Sequence, residues 1–366
     1  MEPELRVVIA GGGTGGHLYP GIAVARELLA RRAGATVTFA GTAKGIEARV
    51  VPREGFALDT IRSGGLKGKS LLNRAKGACL IPLGLMDAWA IVSRRRPHVV
   101  LGVGGYSSGP VVFVAAARRI PTLLLEQNAV PGLTNRLLSR VVRAAAVSYE
   151  STRPFFGSKA FVSGNPVRAE FLDEGTRRHD DQDADARGVN VLIFGGSQGA
   201  HAINEAMVDA ASALVTADVP LRITHQTGER DLEMVRAGYA AVGLSAEVEP
   251  FLYDMGARLK AADLVVCRAG ATTLAELAAA GKPSVLIPLP TATDDHQRKN
   301  AEELASAGAA EMLLQVAASG PALAMRITTL ATDAGARRRM GAAARAMARP
   351  DAAKMIVDRA LELAGV

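Results

Sequence analysis

Two side chains in this sequence stand where they could move a proton. His17 closes the run Gly11-Gly12-Gly13-Thr14-Gly15-Gly16-His17, just ahead of a helical stretch. The positive end of a helix disfavours the imidazolium, so a histidine there is kept as a neutral base. Glu126, in Glu126-Gln127-Asn128, follows the apolar run 121–125 and is the rival base. A positioned base contributes about 10²–10⁴ in rate. His201 occupies the matching position of a second glycine run. It keeps a plainer role open, in which such a histidine only hydrogen-bonds its loop or a substrate.

The glycine runs supply the other chemistry, which is anion binding. Three stretches read as strand, glycine turn, helix: 5–30, 97–118 and 190 onward. Their turns are Gly11 to Gly16, Gly104-Gly105-Tyr106-Ser107-Ser108-Gly109, and Gly195-Gly196-Ser197-Gln198-Gly199. Such a turn presents backbone N–H groups to a phosphate, and glycine lets the phosphate approach. Two adjacent nests in the first half suit a diphosphate. In the second half, Ser197 and the small residues Ala271, Thr272 and Thr273 at a helix start suit another phosphate. Glu276, on the first turns of that helix, could reach a ribose diol; alone, a glutamate there is a solvated surface residue. The first run fits a dinucleotide fingerprint, but the second strand ends Ala40-Gly41-Thr42, without the acid a nicotinamide nucleotide's ribose needs.

Positioning these groups takes two parallel α/β halves that open alike: Gly12 matches Gly196, Gly15 matches Gly199 and His17 matches His201. The expected fold class is α/β, two Rossmann-like parallel-sheet domains facing each other across a cleft. A length of 366 residues and 49% hydrophobic composition fit two full cores. The first helix is expected over 21–30, and a later one over 301–307 behind the polar cluster 294–300. The last begins at Pro350-Asp351, with Met355, Ile356, Leu361 and Leu363 as its apolar set. A hinge is read at 162–168 and a charged surface loop at 173–188. The alternating Asp181, Asp183 and Asp185 lie in that solvated run and are not read as a metal site.

Lys+Arg 43 against Asp+Glu 36 gives a net charge of +7, which favours an anionic partner. Nothing resembles an aromatic platform for nucleic acid. Two cysteines, Cys79 and Cys267, make no disulfide framework, and the acidic start Met1-Glu2-Pro3-Glu4 is unlike a signal peptide. A reducing cytosol is expected. The apolar segment 78–92 carries Ile81, Leu85 and Trp89 four apart, on one helical face. Arg62, Lys67, Lys69, Arg74 and Lys76 precede it, and Arg94-Arg95-Arg96 follow. That pattern suits a helix lying in a membrane interface; an ordinary core helix is the alternative.

GGGTGGH at 11–17, GGYSSGP at 104–110, EQN at 126–128, GNPVR at 164–168, GGSQGA at 195–200, CRAGATTLAE at 267–276 and DDHQ at 294–297, in this order, resemble the peptidoglycan GlcNAc-transferases of glycosyltransferase family 28, which have the GT-B fold. The resemblance implies inverting transfer from UDP-GlcNAc to lipid I, an undecaprenyl-diphosphate-linked muramyl pentapeptide, to give lipid II. It implies an acceptor and membrane domain over 1–164 plus about 346–366, and a donor domain over 165–345. Ser197, Ala271, Thr272 and Thr273, with Leu274 and Ala275 behind them, would hold the donor diphosphate. Leu252 would read the uracil and Glu276 would bind the ribose. Asn128, Arg168 and Gln297 would meet the donor phosphate or sugar, and Thr14, Gly15 and Gly16 would line its junction with the acceptor. The acceptor diphosphate would suit Gly13, Gly104, Gly105, Tyr106 and Ser107. No cofactor and no metal are implied, the charge sink being helix N-termini and Arg168. The place implied is the cytoplasmic face of the bacterial membrane, peripherally bound to anionic lipid through Ile81, Leu85 and Trp89. The alternatives are a UDP-sugar 2-epimerase of the same architecture, or a non-catalytic basic binding protein.

Overall fold

The computed structural model describes residues 4–64, 71–172, 188–196 and 199–366, with 71–79 as backbone. Ser197, Lys67, Lys69, the side chains of Arg74, Lys76 and Cys79, and the acidic run at 181–185 lie outside the described residues. The chain divides into two compact units, Met1–Arg168 with Arg349–Val366, and Ala169–Ala348. Arg168 therefore falls with the first unit, outside the expected span 165–345.

The first unit is built on a seven-stranded sheet of order β3-β2-β1-β4-β5-β6-β7. Its strands are β1 (Arg6–Gly11), β2 (Thr36–Gly41), β3 (Ala57–Thr60), β4 (Val99–Gly104), β5 (Thr122–Glu126), β6 (Ala144–Val147) and β7 (Ala160–Val162). All pairings are parallel. Parallel strands are covered on both faces, so they read as continuous apolar runs. Period-2 alternation splits them. Val7, Ile9, Val99, Leu101 and Leu123 join one core cluster. Val8, Ala10, Val100 and Leu124 join the other. Helix α1 (Gly15–Arg31) supplies Leu18, Ile22, Ala25 and Leu28 to the first cluster, and the C-terminal helix Ala352–Ala364 adds Ile356, Val357 and Ala360. Met355, expected among that helix's apolar set, is 40% exposed. After α2 (Glu47–Arg53), helices α3 (Leu71–Arg95) and α4 (Ser108–Ala117) cover the second cluster with Ile91, Val92, Val111 and Val112. The short α5 (Leu133–Leu138) follows β5.

The second unit has a six-stranded parallel sheet, β10-β9-β8-β11-β12-β13. Its strands are β8 (Val189–Phe194), β9 (Leu221–Gln226), β10 (Ala246–Glu249), β11 (Leu264–Cys267), β12 (Ser284–Leu286) and β13 (Glu311–Met312). The helices used below are α6 (His201–Thr216), α7 (Leu232–Val242), α8 (Met255–Ala261), α9 (Ala271–Ala280) and α10 (His296–Ser306).

Two helices begin earlier than the apolar pattern suggests. α1 starts at Gly15 rather than Gly21, so Gly15, Gly16 and His17 form its first turn. α10 starts at His296 rather than Ala301, because Asp294 and Asp295 take left-handed φ of 55° and turn the chain into the helix before it becomes apolar.

Candidate active site

In an open parallel sheet, ligands bind beyond the carboxyl ends of the strands where the strand order reverses. In the first unit that point lies between β1 and β4, and the loops after these two strands are the two glycine turns. They touch through their backbones. Gly12 N donates to Gly104 O at 3.4 Å. A Cβ on Gly105, whose φ is +81°, would sit 2.5 Å from Gly12 O. The His17 ring lies against Gly104, where a Cβ would come within 2.6 Å of its Cδ2 and 3.0 Å of its Nε2. His17 Nδ1 is 3.2 Å from Thr14 Oγ1. With Nδ1–H donating to that hydroxyl, Nε2 carries the lone pair on the Gly104 side. Ser107 precedes α4 as its N-cap and makes no side-chain cap, while Ser108 Oγ donates to Gly105 O at 2.9 Å. The turn 104–107 is thus a nest at the start of a ten-residue helix, with Tyr106 38% exposed beside it.

Two of the expected site residues are engaged within the chain. Gly13 N donates to Glu47 Oε2 at 2.8 Å, so that amide is spent on an internal carboxylate and is not offered to a diphosphate. Glu126 is buried, and both its oxygens are engaged. Oε1 accepts from Asn128 N at 3.1 Å and Asn128 Nδ2 at 3.2 Å; Oε2 accepts from Gly132 N at 3.1 Å and Asn135 Nδ2 at 2.8 Å. Burial pushes its carboxyl above the usual range, against the pull of these bonds. Enclosed in this way, Glu126 holds Asn128 and the turn behind it, an arrangement that favours His17 over Glu126 as the proposed base. Arg168 stacks over the Tyr19 ring at 5.2 Å.

In the second unit the order reverses between β8 and β11. The turn after β8 packs Gly199 against Thr227: its φ is +72°, and a Cβ would lie 1.8 Å from Thr227 O. A buried polar chain fixes the same region. Asn204 Nδ2 donates to Thr227 O at 2.9 Å and Asp231 Oδ2 at 2.8 Å. His225 Nε2 lies 3.0 Å from Asn204 Oδ1, and its Nδ1 lies 2.8 Å from Tyr239 Oη. His201 is tied to Asp231 at 3.0 Å and to Glu205 at 3.2 Å. It anchors its own helix, which is the plainer role foreseen for it.

The turn after β11 leads into α9 through Gly270, a cap with no side chain to place on the first N–H groups. Ala271, Thr272, Thr273 and Ala275 are part-exposed there, whereas Leu274 is buried and offers a ligand main chain alone. Glu276 is 8% exposed, which removes the solvated-surface reading. Leu252 is 5% exposed between the exposed Phe251 and Tyr253, whose rings meet edge-on at 4.9 Å. Gln297 Oε1 accepts from Leu289 N at 3.0 Å and ties α10 to the loop after β12. Among the described residues, no three or more His, Cys, Asp and Glu are gathered as metal ligands.

Burial pushes the pKa of His225 down from 6.5 to about 3. Between those values the unfolded chain binds a proton that the folded chain refuses, so stability falls on acidification through this window. At pH 5 the expected loss is about 2 kcal/mol. Urea midpoints recorded from pH 7 to pH 4.5 should drop in wild type and drop less steeply in His225→Gln. Parallel slopes would contradict this account.

The sequence model of the Glycosyltransferase family 28 N-terminal domain matches residues 7–147, and that of the C-terminal domain matches residues 190–356. The chain belongs to glycosyltransferase family 28. Family 28 relatives named "UDP-N-acetylglucosamine--N-acetylmuramyl-(pentapeptide) pyrophosphoryl-undecaprenol N-acetylglucosamine transferase" match almost end to end. One from Pelobacter propionicus is 48% identical over 375 residues, 98% of this chain and 99% of its own. One from Anaeromyxobacter dehalogenans is 47% identical over 360 residues, 98% of this chain and 93% of its own. The crystal structure of Acinetobacter baumannii MurG superposes with a TM-score of 0.80 at 34% identity, over 98% of this chain and 99% of that one. The two parallel-sheet Rossmann-like units of this family 28 chain are those of a GT-B glycosyltransferase.

On the outer face of α3, Ile81 is 45%, Met86 65% and Trp89 55% exposed, and Phe113 of the adjoining α4 is 48% exposed. Leu85 departs from the expected trio by packing partly against the core. Arg118 caps the Trp89 ring at 4.9 Å. The flanking cations are partly neutralised: Arg62 pairs with Asp87, and Arg94 and Arg95 share Asp59. Among the described residues no helix is long and apolar enough to cross a membrane.

Sequence reasoning missed Glu47, Asn204 and the His225–Tyr239 pair. One signal for Glu47 was available: an acid closely following Gly41 and Gly45 just past the second strand.

Proposed function

We propose that the chain transfers GlcNAc from UDP-GlcNAc to the muramyl 4-hydroxyl of undecaprenyl-diphosphate-linked N-acetylmuramyl pentapeptide, with inversion at the anomeric carbon. The observation that carries this reading is the near end-to-end match, at 47–48% identity, to relatives named for that transfer. In the second unit, the N-terminus of α9 and the turn after β8 take the donor diphosphate. Glu276 takes the ribose, and the main chain around Leu252 takes the uracil. In the first unit, the nest 104–107 at the start of α4 takes the acceptor diphosphate, and His17 Nε2 accepts the proton of the attacking hydroxyl. The hydroxyl oxygen bonds to the anomeric carbon as the bond to UDP breaks. The negative charge that develops on UDP is met by main-chain N–H groups already pointing at it. The exposed face of Ile81, Met86, Trp89 and Phe113 rests on the anionic cytoplasmic leaflet, where the lipid-linked acceptor resides.

The test is UDP release from UDP-GlcNAc, with and without the lipid-diphosphate-muramyl acceptor, presented in anionic and in neutral vesicles. The expected result is release that requires acceptor and is faster on anionic vesicles. Sugar isomerisation without acceptor would make the chain an epimerase instead. Equal rates on both vesicles would remove the membrane part of the reading.

A further inference from the structure

The first glycine turn already contains an anion, and that anion belongs to the chain. Glu47 opens α2 with no solvent exposure. Its Oε2 accepts from Gly13 N at 2.8 Å. Its Oε1 accepts from Thr42 N at 2.8 Å and from Thr42 Oγ1 at 2.7 Å, and Thr42 Oγ1 in turn accepts from Gly45 N at 3.1 Å. The chain makes room for this carboxylate with glycine. A Cβ on Gly12, Gly41 or Gly45 would lie 2.5, 2.6 or 2.1 Å from the Glu47 side chain. Burial favours the protonated acid, but these hydrogen bonds outweigh it and hold the carboxyl below its usual range.

The clamp reaches further than Gly13. Gly12 N is bound to Gly104 O, and Gly12 O abuts Gly105. Thr14, the next residue of the turn, meets His17 Nδ1 through its hydroxyl. One buried carboxylate therefore fixes the first turn against the second, and with it the residues that orient the His17 ring. The position calls for an acid and not merely for its shape. Gly13 N–H, Thr42 N–H and the Thr42 hydroxyl all donate inward. An amide would offer one oxygen and turn an NH₂ group toward the remaining donors.

We propose that Glu47 is a positioning residue for the transfer: it acts as a built-in anion that occupies the first glycine turn, directs the acceptor diphosphate to Gly104–Ser107, and sets His17 through Thr14. This rests on the transferase reading above. The experiment compares wild type with Glu47→Gln in the full chain, using three readouts: acceptor-dependent UDP release, the Kd for UDP by calorimetry, and hydrogen exchange at the Gly13 amide. The expected result is a fall in kcat on the order of 100-fold, since misplacing a reacting group by about 1 Å costs about that much. UDP affinity should stay within about twofold, and Gly13 exchange should quicken at least about tenfold, the change a freed charge-assisted hydrogen bond allows. If Glu47→Gln does not fold, Thr42→Val removes one donor to the same carboxylate and should lower kcat severalfold with UDP affinity unchanged. A folded variant with quickened Gly13 exchange and wild-type kcat overturns the proposal, as does a loss of UDP affinity in step with kcat. Failure of the transferase reading is distinguishable, because wild type itself would then show no acceptor-dependent release.

Discussion

His17→Ala should lower kcat for acceptor-dependent transfer by about 10²–10⁴-fold, the contribution of a positioned base, while leaving the Kd for UDP unchanged. The reason is where the ring sits. It lies on the bare backbone of Gly104, its Nδ1 is engaged with Thr14 Oγ1, and Nε2 remains on the side of the nest at 104–107. On the proposed reading, the acceptor hydroxyl approaches Nε2 once its diphosphate is seated in that nest, and the tautomer with Nδ1–H toward Thr14 lets Nε2 take the proton. The matching change at Glu126 should cost kcat much less, because its carboxylate is walled off by Asn128, Gly132 and Asn135 and is not presented to a substrate hydroxyl. In Glu126→Gln the new NH₂ group faces donors that the carboxylate accepted from, so its main cost should fall on stability. Steady-state rates for both variants, with UDP calorimetry as the control, decide the point. Wild-type kcat in His17→Ala would end its assignment as the base, and a larger loss in Glu126→Gln than in His17→Ala would reverse the two roles.

Gly199→Ala should weaken UDP binding by about 10- to 100-fold, the loss expected when one hydrogen bond to a charged phosphate is withdrawn. An added methyl meets Thr227 O at 1.8 Å, in a left-handed conformation that already disfavours any side chain. The carbonyl it meets cannot easily withdraw. Thr227 N is bonded to Glu249 O, and Asn204 Nδ2 holds Thr227 O itself. Since Asn204 is further braced by Asp231 and His225, the glycine turn is what must move. That displaces the N–H groups leading into α6. Calorimetry with UDP, on protein whose circular dichroism matches wild type, measures the effect. A Kd within about threefold of wild type would show that this turn does not bear on the nucleotide.

The local architecture was legible in the residues themselves. Apolar runs ending in glycine, followed by helical spacing, mark β1, β4 and β8 because strand, turn and helix starts are set by neighbours a few residues apart. The turns that carry His17, Gly104 and Ala271 were legible for that reason, and the ordered motifs pointed to the family. Long-range partnerships could not be found in this way. Gly13 meets Glu47 across 34 residues, and Gly12 meets Gly104 across about half of the unit, because β1 lies between β2 and β4 in the sheet. Only that strand order turns an apparent phosphate amide into an occupied one. The closing of Asn135 and Gly132 over Glu126, and the partial packing of Leu85 against the core, likewise follow from folding alone. Sequence by itself determined where backbone amides are bared and which side chains could react. Tertiary structure decided which of them are spent on the chain's own carboxylates, because burial and hydrogen-bond pairing are set by what folding brings together.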